Sequence, residues 1–554
     1  MKLFFILTLV LVTIACSPKQ EVDRLFINGT IHTGVDNQPL AQLIAVDDGR
    51  IVHVGTTKDA NSFNAAQTTD LSGAHLFAGF TDGHAHLFGI GQREVNLNLE
   101  NTASLAEMLQ TIKQVAQDNP KGAIIGRGWI ETHWPKKRFP NRYDLEAVAS
   151  GRIVLLSRSD GHALLASTAA LQAIGIDADS VDPEGGRINR DSDGTPNGLL
   201  IDTAMNLMAP LLQGVIGEDR QVSLAKGAQV MATYGWTGIH NMSVTADDVI
   251  QLEAMAKAGT MPIRIYNGIV PEDIDLLADG PRFSADKRVI TRAIKIVTDG
   301  ALGSRGAALL APYSDDPTQS GLMISTSESM IPILQQALEE GWQINAHAIG
   351  DRANRQLLDW MEQAFNSQST GQQELSDPRW RIEHAQIINP QDLERFAELG
   401  IIPSMQASHA IGDLFFAEDR LGKSRLQGAY AWASLLKSGT IIVGGSDAPV
   451  ERGDPRIEFY AAVSRTAING FQGANWHKEQ AVTRREALKM FTLWPAIASF
   501  REDDLGTIEV GKRADFTIFD RDLMTIPAEE ILTAKVLWTI VDGKDSYKAN
   551  PSMQ

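Results

Sequence analysis

Apolar and polar positions follow two different rhythms along this chain. Near the start, Leu25-Phe26-Ile27-Asn28-Gly29-Thr30-Ile31 and the segment from Leu43 to Gly55 read as short strands broken by turns, with Asp48-Gly49 as a hairpin signal. Near the end, Ala514-Asp515-Phe516-Thr517-Ile518-Phe519 and the segment from Val536 to Lys544 read the same way. Strands at both termini predict one small β unit built from both ends. The long middle alternates short apolar strands with longer helical patterns, which predicts βα units around a parallel sheet. Its candidate strands end at His86, Asn241, Ile265, Val297, Ala346, Glu383, Ser404 and Gly445. Eight such endings predict a (β/α)8 barrel, a fold whose active sites lie at the C-terminal ends of the strands. The stretch from His86 to about Tyr234 is too long for one βα unit. It predicts an insertion after strand 1, with strand-like pieces at Gly122–Gly126 and Arg152–Leu156.

The expected fold class is therefore α/β: a TIM-type barrel with a large insertion, plus a small β-sandwich made from both termini. The expected boundaries are a signal over 1–16, the N-terminal part of the sandwich over 17–75, the barrel over 76–500 with the insertion at about 90–230, and the rest of the sandwich over 501–554.

Composition changes this picture little. The 554 residues are 43% hydrophobic and 21% charged, as in ordinary globular proteins. The net charge of −18 and the lack of any arginine-rich run argue against nucleic-acid binding. The N-terminus is more telling. Met1-Lys2 precedes an apolar stretch, Leu3 to Ile14, too short to cross a bilayer with ease. It ends in Thr13-Ile14-Ala15-Cys16-Ser17, which resembles a bacterial lipoprotein signal with Cys16 as the lipidated residue. Cys16 is the only cysteine of the chain, so no intramolecular disulfide can form. An ordinary cleaved secretory signal is the alternative. The expectation is an exported protein on the periplasmic face of the outer membrane, touching the membrane only through a lipid anchor. Pro18 to Asp23 read as a short tether. A homo-oligomer stays open.

The candidate chemistry begins with His84 and His86. Residues two apart on a strand share a face, so the pair makes half of a metal site. Four more polar residues end or follow other apolar strands: Lys295 in Ala293–Val297, His347, His384, and Asp447 after Ile441–Ser446. A lysine buried without a partner is costly and must be modified, paired or neutral. Six metal-competent residues at the ends of successive strands predict a metal centre.

The order His-x-His, Lys, His, His, Asp resembles the amidohydrolase superfamily with a two-metal centre. The wording of Lys295–Arg305, Ala346–Ala353, Ile382–Gln386 and Gly445–Val450 resembles the amidohydrolase 3 family, which includes proteins like N-substituted formamide deformylase. Gly126–Trp129, Arg158–Ala163 and Asp182–Gly186 carry the likeness through the insertion, and it spans about Leu25 to Lys544. The resemblance implies a hydrolase of non-peptide C–N bonds acting on a small amide or formamide. It implies His84, His86 and Asp447 on a first metal, His347 and His384 on a second, and Lys295, carboxylated by CO2, bridging both. Imidazole, carboxylate and carbamate donors suit Zn2+, with Mn2+ and Fe2+ as alternatives. The implied chemistry is attack by a metal-bridging hydroxide, with Asp447 as catalytic proton shuttle. Two alternatives are a one-metal deaminase on the same barrel, which would lack Lys295, and a catalytically idle metal- or ligand-binding lipoprotein, which would not need Asp447. For substrate contact the sequence offers Trp129, Asp160, His162 and His409. His240 and Asn241 are candidates to orient the ligands. Asp299, Arg305 and Asp351 are candidates to fix the metal-bearing loops. His32, His53 and His75 read as structural or solvated.

Overall fold

The structure is a computed structural model that describes residues 19–216, 220–367, 377–473 and 476–550. Cys16 and the predicted signal lie outside the described residues.

Eight parallel strands form the barrel sheet: β1 Phe80–Ala85, β2 Trp236–Val244, β3 Arg264–Ile269, β4 Val289–Val297, β5 Gln343–Ala348, β6 Arg381–His384, β7 Ile402–Gln406 and β8 Val443–Gly445. Each pairs with its sequence neighbour. Closure between β8 and β1 is made just past their ends. Asp447 N–H donates to His84 O at 2.7 Å, and His86 N–H donates to Ala448 O at 2.7 Å. The seam of the barrel thus coincides with three of the candidate ligands. Beneath it, Phe80 packs with Trp236, Phe459 and Phe491 in one aromatic cluster. Each fully buried phenylalanine of this kind contributes about 1.5–3 kcal/mol.

All eight predicted strands are present; those ending at Val297 and Gly445 stop where expected and the other six ends are shifted. β2 runs on to Val244, so His240 is inside the strand rather than at its end. β1 stops at Ala85, and His86 is the residue that starts the helix Leu87–Val95.

The insertion between β1 and β2 carries its own six-stranded sheet, which includes Ile124–Trp129, Val154–Arg158, Ala163–Ala166 and Pro196–Asp202. Its core holds Leu99, Met108, Trp129, Leu145, Leu156, Leu165 and Leu199. The helix Leu87–Val95 docks closely on the helix Arg220–Tyr234, and Gly91 makes this possible: a Cβ there would fall 1.8 Å from Ser223 O.

The chain ends form two sheets. One contains Gln20–Ile27, Leu43–Asp47, Arg50–Gly55 and Phe63–Asp70. The other joins Thr30–His32, Leu40–Ala41 and His75–Ala78 to Phe516–Phe519, Val536–Val541 and Lys544–Lys548. Phe26, Ile44, Val46, Leu76, Phe516, Ile518 and Ile540 belong to one apolar cluster between them. The hairpin at Asp48-Gly49 has positive φ at both residues (47° and 69°), the geometry that suits the twist of paired strands. The expected tether at Pro18–Asp23 needs correction. A strand already begins at Gln20, because Val22 is buried and the segment pairs in parallel with Phe63–Asp70.

No helix among the described residues is long and apolar enough to cross a membrane.

Candidate metal centre

The C-terminal ends of β1, β4, β5, β6 and β8 carry His84, Lys295, His347, His384 and, two residues beyond β8, Asp447. His86 follows directly after β1. All except His86 are at most 6% exposed. The centre is packed around Asp447 Oδ1, which lies 3.0 Å from His86 Nε2 and 3.5 Å from His84 Nε2. The His384 ring packs against those of His84 and His347, tilted to the first and edge-on to the second, with centroids at 4.8 and 4.5 Å.

Three of the imidazoles are oriented by what holds Nδ1. His84 Nδ1–H donates to Glu383 Oε2 at 2.5 Å. His86 Nδ1–H donates to Met242 O at 3.1 Å. His384 Nδ1–H donates to Gln406 Oε1 at 2.8 Å. For His84 and His384 such a partner fixes the tautomer with the proton on Nδ1, so that Nε2 carries the lone pair a ligand role needs. Burial pushes the His84 imidazole down to about 4, and Lys295 adds to this. Burial also holds His384 well below the ordinary histidine range and lowers His347. These rings are neutral at pH 7. Asp447 is the opposite case. Burial alone would raise its carboxyl, but His84, His86 and His384 outweigh that and hold it well below the usual carboxylate range.

Two supporting groups went unread in the sequence. Arg381 and Glu383, both fully buried, alternate with Ile382 and His384 along β6. Arg381 pairs with Glu383 at 2.8 Å and also donates to Gly83 O, Ser404 Oγ and His240 Nδ1. Burial opposes ionisation of Glu383, yet Arg381 and His84 keep it well below the carboxylate range. His240 therefore reaches the centre only through Arg381 and Glu383. Asn241 accepts from Leu87 N–H at 2.9 Å and touches no ligand. Arg381→Met should cost about 3–5 kcal/mol, the usual price of leaving one buried charge without its partner. Urea unfolding of the metal-free protein measures it, and adding Glu383→Gln should recover part of the loss. A single-variant cost below about 1 kcal/mol would refute this reading.

The loops are clamped as expected by Asp299. Its carboxylate accepts N–H bonds from Ala308, Ile349 and Gly350 at 2.8–2.9 Å, and Oδ1 lies 3.4 Å from His347 Nε2. Asp351 accepts from Leu310 N–H, while Arg305 pairs with Asp315. Asp82, missed in the sequence, fastens β1 to β8 through Ser446 and is pushed up to about 7 by burial.

A cavity of about 410 Å³ opens above the centre, and the insertion forms one wall. Asp160, His162 and His409 line it, together with Arg158, Asp413 and Glu451. His162 Nδ1 bonds Asp202 Oδ1 at 2.7 Å. Burial works against its charge, but Asp202 outweighs burial and raises His162 above its ordinary value. Asp202 is forty residues away in sequence and gave no local signal. His409 Nε2 lies 3.7 Å from Asp447 Oδ2, on the helix Ala407–Asp413 rather than in a loop. Trp129 is a correction. It is fully buried in the core of the insertion, its indole N–H donates to Leu156 O, and it does not reach the cavity. Trp134 is likewise buried, donating to Thr102 O.

The donor set fits divalent metal ions. Ligand atoms of His84, His86 and Asp447 lie within 4.8 Å of one another, and so do those of His384, His409 and Asp447. His84 Nε2 and Lys295 Nζ are buried with no hydrogen-bond partner. Leaving such atoms orphaned is costly unless something else binds them. Burial also pulls the Lys295 amine down to about 8, though Glu383 and Asp447 partly oppose it.

Comparison with known proteins agrees with this geometry. The chain is 31% identical over 529 residues to YtcJ of Bacillus subtilis (strain 168), covering 94% of this chain and 98% of that one. It is 30% identical over 553 residues to the N-substituted formamide deformylase of Arthrobacter pascens, covering 96% and 100%. The crystal structure of an uncharacterized metal-dependent hydrolase from Pyrococcus horikoshii OT3 superposes with a TM-score of 0.73 at 26% identity, over 91% of this chain and 99% of that one. The amidohydrolase family model matches residues 67–547, and the chain belongs to that family.

Proposed function

We propose that this protein hydrolyses the C–N bond of a small amide or formamide with two divalent ions, Zn2+ by the chemistry of the donors. His84, His86 and Asp447 would hold one ion and His347 and His384 the other, with a carbamate on Lys295 shared between them. The observation that carries this reading is Lys295 itself: a buried amine with no partner, lowered to about 8, beside three neutral imidazoles and an ionised carboxylate. An amine of lowered pKa has more of the neutral form that reacts with CO2, and the resulting carbamate turns a misfit cation into an anionic oxygen ligand. The formamide choice draws on the Arthrobacter pascens relative.

When bound, the ions supply Lewis acidity that polarises a carbonyl and makes water more acidic. The chain's own residues do the rest. Asp447, kept ionised by its histidine neighbours, accepts the proton of the attacking water and returns it to the leaving nitrogen. His162, held by Asp202, faces the same cavity as a hydrogen-bond donor to the substrate. Arg158 and Asp160 brace that wall through their ion pair. A cavity of about 410 Å³ suits a small molecule.

A hydrolysis screen over N-formyl, N-acyl and cyclic amides tests the reaction class. Turnover of at least one of these, lost on chelation and restored by Zn2+, is the expected outcome. Inertness of the zinc-loaded protein toward all three, with release of ammonia from amino-heterocycles, would favour a deaminase instead.

We further read Cys16 as a lipid attachment site on an exported protein. Cys16→Ala should move the protein from the membrane pellet to the soluble fraction in cells. An unchanged pellet fraction would contradict that reading.

A further inference from the structure

Far from the barrel mouth, two histidines expected to be structural meet a carboxylate. We propose that His32, His75 and Asp522 form a separate zinc site at the seam where the two ends of the chain join.

The geometry is the main argument. His32 Nε2 lies 3.3 Å from His75 Nδ1 and 3.3 Å from Asp522 Oδ1, and His75 Nδ1 lies 4.0 Å from Asp522 Oδ1. A point equidistant from these three atoms sits about 2.1 Å from each, which is the length of a zinc–nitrogen or zinc–oxygen bond. A tetrahedral ion with bonds of that length holds its ligand atoms about 3.4 Å apart, so the site accepts it once His75 Nδ1 and Asp522 Oδ1 close in from 4.0 Å.

The three ligands come from separate segments. His32 ends the strand Thr30–His32, His75 begins the strand His75–Ala78, and Asp522 follows the strand Phe516–Phe519. These three strands are direct neighbours in one sheet. Their side chains are held in place. The His32 ring stacks on Phe77 at 4.4 Å with an interplanar angle of 3°. Asp522 Oδ1 accepts from Met524 N–H and Oδ2 from Thr525 Oγ1, so the carboxylate is fixed by its own turn.

The His32 ring is in the form that binds a metal. Burial pushes His32 down to about 4, despite Asp522, so its ring is neutral and free to bind metal at pH 7. Of the nearby cations, Arg485 and Lys489 line the same cavity but pair with Asp36. Arg484 gives its guanidinium to Leu523 O and Ile526 O. A cavity of about 290 Å³ reaches His32 and Asp522, and the side chains of His75 and Asp522 remain 19% and 20% exposed. An ion can enter and keep a water as its fourth ligand. Bound there, it would tie N-terminal strands to a C-terminal one, a structural role.

Zinc binding to the full-length protein tests this, with His75→Gln and Asp522→Asn as separate variants. Wild type should bind one more zinc ion per chain than either variant, and zinc should raise its melting temperature further than theirs. Asp522→Asn keeps the shape of the turn, so a folding defect in His75→Gln leaves the test intact. Equal zinc counts in wild type and Asp522→Asn would mean the three groups are only hydrogen-bonded to one another. A loss of two or more ions in Asp522→Asn would mean that the barrel centre had been disturbed. Either result overturns the site.

Discussion

Lys295→Ala should leave a folded protein with no measurable hydrolysis and with one ion or none at the barrel mouth instead of two. Nζ is buried near the end of β4 with no hydrogen-bond partner, and Lys295 lines the same cavity as His86, His347, His384 and Asp447. If it carries the shared oxygen ligand, its loss removes a donor from both ions at once. A metal ion is worth several kcal/mol of transition-state stabilisation, and each 1.4 kcal/mol is tenfold in rate, so the expected drop is about 10³-fold or more. Lys295→Met is the companion variant. It keeps the apolar stem and the packing of β4, so it should be equally inactive yet as stable as wild type. A small carboxylate such as acetate, added to Lys295→Ala, should restore some activity by filling the vacated space with an oxygen donor. Wild-type rates and metal content in Lys295→Met would refute the role assigned to this residue.

Asp447→Asn should lower kcat by about 10²–10⁴, the usual worth of a placed general base. The amide has almost the same shape as the carboxylate, but it cannot take up a proton. His84, His86 and His384 keep Asp447 ionised far below neutral pH. Loss of wild-type activity between pH 7 and 5 therefore cannot come from protonation of Asp447. In the variant, the residual rate should climb with pH as hydroxide from solution replaces the missing base. Steady-state kinetics from pH 6 to 9 would show this. A variant within tenfold of wild type at pH 7, with an unchanged profile, would remove Asp447 from the proton path.

Much of this was legible because barrel strands announce themselves. A strand with a metal-competent side chain at or near its C-terminal end is what a barrel mouth requires, and His84, Lys295, His347 and His384 all obey it. The Asp48-Gly49 turn was legible for a similarly local reason, since few dipeptides tolerate two positive φ values. What could not be read depends on facing and distance. Arg381 and Glu383 look like ordinary strand polar residues until the barrel closes and pairs them with each other and with His84, His240, Gly83 and Ser404. Asp202 meets His162 only because two strands of the insertion run side by side. Trp129 lies beside polar motifs in sequence, yet its side chain points into the insertion core, and spacing alone cannot tell those faces apart. Gln20–Asp23 looked too polar for a strand, but Val22 is enough to anchor it once Phe63–Asp70 offers an edge.

The central claim is a pair of ions sharing a modified Lys295. Anomalous diffraction at the zinc absorption edge, from crystals of the zinc-loaded protein grown with bicarbonate, tests it directly. The account predicts two peaks in the barrel mouth, one beside His84, His86 and Asp447 and one beside His347 and His384, with electron density extending past Lys295 Nζ between them. A single peak, or two peaks beside an unmodified Lys295 amine, would contradict it.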